Sequence, residues 1–171
     1  MRRLFFLFAP VAAVLAAMTL RADGPPRYSI DELACRSWNE LESIYRSAAP
    51  GSAPSGFMRG RVVFPPCAVL AGPREKVSNA LWQGKHFCGD GLINQWRGVK
   101  FIKGAVSPGE SWLDGRPAHI LDYQNTSVLW NDVRDETREV SPGVYIGLMY
   151  LRRCPEAKLK LMFLLESDVC R

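Results

Sequence analysis

The sequence predicts a mainly-β fold, an antiparallel barrel of about eight strands preceded by one amphipathic helix. Three observations point there. Beyond residue 56 the chain falls into short runs rich in β-branched and aromatic residues, each stopped by Gly, Pro or Asp-Gly. The connections between those runs are short and sequential, as in a meander. A barrel that closes on itself removes the unpaired edges that such a meander would otherwise expose. A single stretch, residues 30–47, carries the helical period instead. A two-sheet sandwich is the alternative architecture.

The elements follow in order. Arg2 and Arg3 precede an uncharged apolar run from Leu4 to Leu20, and small residues lead to the polar Asp23-Gly24-Pro25-Pro26. A basic start, an apolar stretch and a small residue before a turn predict an export signal over residues 1–22. An uncleaved anchor is the alternative, since the run nearly reaches the ~20 residues that span a bilayer. The expected location is therefore the periplasm, the cell envelope or the exterior, with membrane contact only through that segment if it is retained. Removing residues 1–22 leaves a single domain over 23–171, and loss of Arg2, Arg3 and Arg21 lowers the formal charge from +5 to +2. No Lys/Arg cluster remains to track a phosphate backbone, which argues against a nucleic-acid partner.

Ser29 and Glu32 have the spacing of a capping box. Ile30, Leu33, Ala34, Trp38, Leu41, Ile44 and Tyr45 then recur on one helical face as far as about residue 47. Strands are expected at 61–64, 80–87, 93–103, 105–106, 118–123, 127–140, 144–152 and 158–165. Cys88-Gly-Asp-Gly91 and Pro142-Gly143 supply hairpin turns. Gly84, Gly98 and Gly147 fall inside or beside strands, where they mark bends or close backbone approach. Leu159, Leu161, Phe163 and Leu165 alternate as one face of the last strand.

The five cysteines show no C-x-x-C spacing. Spacing alone selects no pairing among them. Cys154 and Cys170 flank the last strand and form the first candidate disulfide; several buried thiols or a single surface bridge are the ordinary alternative. His86, Cys88 and Asp90 alternate on one strand end, but with two histidines in the chain they fall short of a metal ligand set. No metal or cofactor is expected.

The densest segment is Asp132 to Glu139, with six charged residues in eight positions. On a strand, Arg134, Glu136 and Arg138 share one face with Trp130, and Asp135 shares the other with Val133 and Thr137. Whichever face turns inward, charge enters the interior unless the hairpin projects into solvent. Inside a barrel, Arg134 or Arg138 would anchor a carboxylate or phosphate by its planar fork. In solvent the same residues would form weak surface pairs. His119, Asp122 and Tyr123 lie on the preceding strand, close enough to join Asp135 or Glu136 in acid–base chemistry. Trp96, Trp112, Trp130, Tyr145 and Tyr150 would supply apolar wall. No G-x-S-x-G, H-E-x-x-H or phosphate loop is present, so no reaction is named by a motif.

The pattern L-W-x-G-K-x-F (81–87), S-W-L-D-G-R-P-A (111–118), D-Y (122–123) and R-D-E-x-R-E-V-x-P-G-x-Y-x-G-x-M-Y (134–150) resembles an uncharacterised family of bacterial exported proteins. The helix-then-sequential-barrel layout is similar to the lipocalin or calycin group, although Trp82 precedes Gly84 well inside the chain rather than opening the first strand. The resemblance implies a cavity-bearing barrel and names no catalytic residue. Three functions are therefore expected in turn: binding of a small amphipathic or lipid-like molecule, cofactor-independent acid–base catalysis by a lyase, isomerase or hydrolase, and an envelope interaction module using the charged hairpin.

Overall fold

The structure is a computed structural model that describes residues 27–152 and 156–168. The expected export signal and both members of the Cys154–Cys170 candidate disulfide lie outside the described residues. Cys35, Cys67 and Cys88 are free and exposed.

Eight strands close into one barrel in sequence order, every neighbouring pair antiparallel. They are β1 (Gly56–Val63), β2 (Trp82–Cys88), β3 (Gly91–Trp96), β4 (Val99–Glu110), β5 (Pro117–Asp122), β6 (Val133–Ser141), β7 (Val144–Leu151) and β8 (Lys158–Ser167). The seam between first and last strand runs from Met58 opposite Ser167 to Val63 opposite Met162. Closure settles the choice between barrel and sandwich.

Several boundaries differ from the sequence expectation for identifiable reasons. The single run 93–103 is two strands, because Arg97 (φ 45°) and Gly98 (φ 82°) make a left-handed turn. The short strand at 105–106 is the middle of β4, which continues through Ser107-Pro108-Gly109. β6 begins at Val133; residues 124–132 form a loop, so Trp130 reaches the barrel from outside its wall. A bulge between Met149 and Tyr150 sets Tyr150 opposite Leu159 and leaves Lys160 unpaired, which turns Leu159 away from the face of Leu161, Phe163 and Leu165.

The expected single helix over 30–47 is two: α1 (Ile30–Ala34) and α2 (Trp38–Ser47). Each carries its own capping box, Ser29 with Glu32 and Ser37 with Glu40, and the second box ends the first helix by fixing Ser37 in an extended conformation. A third helix, α3 (Ala71–Leu81), joins β1 to β2 where only a connection was expected.

Two apolar clusters result. Ile30, Leu33, Leu41 and Tyr45 from α1 and α2 cover the outer face of β7 and β8, against Ile146, Leu148, Met162 and Leu164. Full burial of each aliphatic side chain there contributes about 1.5–3 kcal/mol. The second cluster fills the barrel, with Met58, Phe87, Leu92, Leu121, Tyr145, Phe163 and Leu165 among its members. β6, β7 and much of β8 are thus buried on both faces, which is why their sequences lack a clean apolar–polar alternation.

Two glycines are required by this wall. At Gly84 (φ +136°) a β-carbon would lie 1.9 Å from the Met58 carbonyl oxygen. At Gly147 it would lie 2.1 Å from the Phe163 ring, which lies against the bare backbone.

Candidate polar site inside the barrel

The two ends of the barrel are unlike. One is closed by residues 50–52. The Pro50 carbonyl accepts from the Glu139 amide at 3.1 Å, the Gly51 carbonyl lies 3.2 Å from His119 Nε2, and the Ser52 carbonyl accepts from Tyr145 Oη at 3.0 Å. His119 and Tyr145 therefore serve the plug rather than a site. At the other end, where α3 and the 124–132 loop lie, a half-open cavity of about 110 Å³ enters the barrel between Trp82, Trp96, Trp130, Met149, Leu161 and Phe163.

Lys85 and Asp135 form the cavity's polar floor. The β2 bulge beside Gly84 points Lys85 inward with Phe87, and burial leaves it 1% exposed. Its ammonium has three partners: Tyr123 Oη at 2.6 Å, Asp135 Oδ2 at 3.0 Å and Asn94 Oδ1 at 3.0 Å. Tyr123 Oη in turn donates to Asp135 Oδ2 at 3.0 Å, and Trp82 Nε1 donates to Asn94 Oδ1 at 3.1 Å. The faces of Phe163, Tyr123, Trp82 and Trp130 surround Nζ at 4.9–5.9 Å.

Asn94 is oriented by strain. Its amide donates at 3.1 Å to the carbonyl of Ile102, a β-branched residue held at φ 64° where the β3–β4 register slips by one residue. That backbone region costs a β-branched side chain of order 1–3 kcal/mol.

Burial dominates the protonation of this cluster. It pushes Lys85 down, against the pull of Asp135, and pushes Asp135 up, against the pull of Lys85. Tyr123 is raised by the same desolvation and by the neighbouring carboxylate. Burial thus works against the charged forms of Lys85 and Asp135, while their 3.0 Å contact works in favour of them.

Asp135 Oδ1, Trp96 Nε1 and Thr137 Oγ1 are buried without a hydrogen-bond partner. All three belong to inward-facing residues. An unpaired buried polar atom costs about 1–3 kcal/mol, and Asp135 and Trp96 both line the cavity.

The opposite face of β6 is as charged and fully engaged. Glu136 accepts from Arg134 Nη1 at 2.6 Å, the Trp112 amide at 2.9 Å and Tyr45 Oη at 3.3 Å, and it also contacts Ser111 Oγ. Arg134 lies over the Trp112 ring at 4.1 Å. Arg138 forks onto Asp114 at 2.7 and 2.8 Å and donates to the Tyr45, Pro117 and Arg116 carbonyls. Arg134, Glu136 and Arg138 thus lie outside the barrel beneath α2, binding the helix to the wall. They are neither a ligand anchor in the interior nor a solvated hairpin. Asp122 pairs with Arg152 at 2.7 Å on the outer surface.

Of the residues expected from sequence, the structure brings together Trp96, Tyr123, Trp130 and Asp135 at one cavity. His119, Asp122, Arg134, Glu136, Arg138 and Tyr145 lie elsewhere, and the acid–base set is reduced to Asp135. Sequence reasoning missed Lys85, Asn94 and Trp82. Their signal was present: Lys85 interrupts an inward apolar face in W-x-G-K-x-F, and Asn94 alternates with Leu92 and Trp96. A larger groove of about 540 Å³ runs outside the wall between α3, β1 and β2, but its Arg59 and Arg61 are already paired with Glu166 and Asp31. Among the described residues no group of three His, Cys, Asp or Glu is placed to hold a metal.

No family model matches the chain, and no curated protein matches it. A solved structure of a protein from Thermomonospora curvata is 22% identical with a TM-score of 0.48, over 78% of this chain and 89% of that one.

Proposed function

We propose that this barrel binds a compact, largely apolar molecule in the cavity over Lys85 and Asp135, holding it through a hydrogen-bond donor. The observation that carries the reading is Asp135 Oδ1, buried and unpartnered at the cavity wall. A donor there satisfies a buried oxygen that has no protein partner, and the tryptophans around it supply flat apolar walls. The cavity of about 110 Å³ is well below the roughly 300–1,000 Å³ of drug-sized sites. The occupant is thus a small ring or short chain, in place of the lipid-like ligand expected from sequence. The Arg-Arg start and apolar run of residues 2–20 support placing this binding in the cell envelope or outside the cell.

Calorimetric titration with phenol and with anisole tests it. The two share a ring, and anisole has no O–H to donate. A hydrogen bond to a charged group contributes about 1.5–3 kcal/mol, so phenol binds roughly 10–100-fold more tightly. Equal affinities, or none for either, contradict the reading.

A second reading, acid–base catalysis, is favoured by the raised Asp135 beside the lowered Lys85. A desolvated carboxylate of this kind accelerates loss of the ring proton of 1,2-benzisoxazole. Turnover equal to that of Asp135→Asn would rule it out.

A further inference from the structure

Eight large apolar side chains stand exposed among the described residues, and seven of them gather at one end of the barrel. Val69, Leu70 and Val77 belong to the connection from β1 to β2. Val99 and Phe101 follow the β3–β4 turn. Val128 and Leu129, 98% and 76% exposed, form the tip of the β5–β6 loop. All three segments join strand ends at the open mouth of the cavity; the eighth, Trp112, lies in the β4–β5 connection at the plugged end, its ring stacked on Arg134. The other connections at the plugged end carry none.

The helix α3 adds an independent observation. It runs for eleven residues and buries none of them. Polar pins hold it in place: Asn79 pairs with both backbone groups of Val62, and Glu75 accepts from the Phe64 amide. Its N-cap is Leu70, an exposed leucine at φ 55° with no capping hydrogen bond, a backbone state that L-residues avoid. Leu70 and Val77 lie seven residues apart, about two turns, so they share one side of the helix. A helix with no fully buried residue and with Leu70 and Val77 exposed presents those apolar residues to something else.

The charge at this end identifies what. Exposed basic side chains flank the apolar ones: Arg74 and Lys76 on α3, Arg97 and Lys100 at the β3–β4 turn, Lys158 at the start of β8. Glu75, Asp132 and Glu156 leave the excess positive. Connections at the plugged end instead carry Asp90, Asp114 and Asp168 against Arg116, an acidic balance. Apolar tips interleaved with Lys and Arg match an anionic lipid surface, where apolar groups enter the headgroup boundary and each basic residue gains from the surface potential. We infer that the mouth of the barrel is a docking surface for an anionic membrane, which sets the cavity opening against the lipid. This docking does not depend on what the cavity holds.

Hydrogen-exchange mass spectrometry of the full chain tests it, with vesicles of phosphatidylcholine alone and of phosphatidylcholine with phosphatidylglycerol. The expected result is slowed exchange over residues 66–79 and 124–132 on the anionic vesicles only, with residues 88–91 and 142–143 unchanged. Raising salt to 0.5 M should abolish that protection, since screening shortens the reach of surface charge to a few ångströms. Val128→Asp/Leu129→Asp, on an exposed loop, should lose it while keeping the wild-type exchange pattern without vesicles. Lys76→Glu should weaken partitioning at least about fivefold. Three results would overturn the inference: no protection at the mouth, protection on both vesicle types alike, or protection that appears without lipid as protein concentration rises. The last would identify a second copy of the chain as the occupant. A retained N-terminal apolar run would bring the protein to vesicles without protecting these loops, and so would also count against it.

Discussion

Asp135 and Glu136 are consecutive carboxylates on β6, both fully buried, and they face opposite sides of the barrel wall. Glu136 looks outward to Arg134, Tyr45, Ser111 and the Trp112 amide, and its oxygens are occupied. Asp135 looks inward to Lys85 and Tyr123 through one oxygen and leaves the other open beside a cavity. The strand's period of two separates a fastening from a site.

Lys85 and Asp135 should be strongly coupled in stability. Lys85→Met leaves a buried carboxylate without its countercharge and should cost about 3–5 kcal/mol in urea unfolding. Lys85→Met/Asp135→Leu removes both charges and should cost clearly less than either single change. Additive single effects would mean that the pair is not interacting as the geometry requires.

The outer fastening gives the acid limb. Hydrogen bonds from Arg138 hold the Asp114 carboxyl below its ordinary 3.8, with the backbone amide of Arg116 and the nearby charges adding to the effect. A folded pKa below the unfolded one means that Asp114 stabilises fully above about pH 4 and loses that contribution as pH falls through the folded value. Asp114→Asn should lose about 1.5–3 kcal/mol at pH 7 and show a flatter acid limb. Parallel stability curves from pH 7 to pH 2 would remove Asp114 from that role.

Gly84→Ala meets the Met58 carbonyl directly in a backbone conformation that alanine avoids, so relief requires the β1–β2 pairing to move. A loss above about 3 kcal/mol, or no folded protein, is expected. A well-folded variant with unchanged thermal midpoint would show that the β2 bulge is not where Lys85 gets its direction.

Ser37→Ala should cost about 1 kcal/mol by unlinking the capping box with Glu40. The loss should appear as faster amide exchange in the first turn of α2. If α1 and α2 instead merged into one helix with no loss, Ser37 would not be what divides them.

The barrel was legible because turns announce themselves: Cys88-Gly-Asp-Gly91 and Pro142-Gly143 set two hairpins before any packing is considered. Arg97-Gly98 was not, since an arginine in the left-handed region leaves little trace in the sequence. Trp96, Tyr123, Trp130 and Asp135 could be named as candidates because aromatics and charge are conspicuous. The direction of each β6 residue could not, because both faces of that strand are buried and both carry charge, so the usual rule of polar out and apolar in gives no answer. Lys85 was passed over for the opposite reason. One lysine between Gly84 and Phe87 looks like surface until a bulge, set by Gly84, turns it into the core.

The most direct test is a ¹⁵N–¹H NMR titration with phenol, read on the five tryptophan indole N–H signals. Trp96 Nε1 is unpartnered at the cavity, Trp82 Nε1 is bonded to Asn94 and Trp112 lies outside the barrel. The expected result is a saturable shift of Trp96, with Trp82 and Trp130 following and Trp38 and Trp112 unmoved, all lost in Asp135→Asn. A response confined to Trp112, or one that persists in Asp135→Asn, would contradict a ligand site over Lys85 and Asp135.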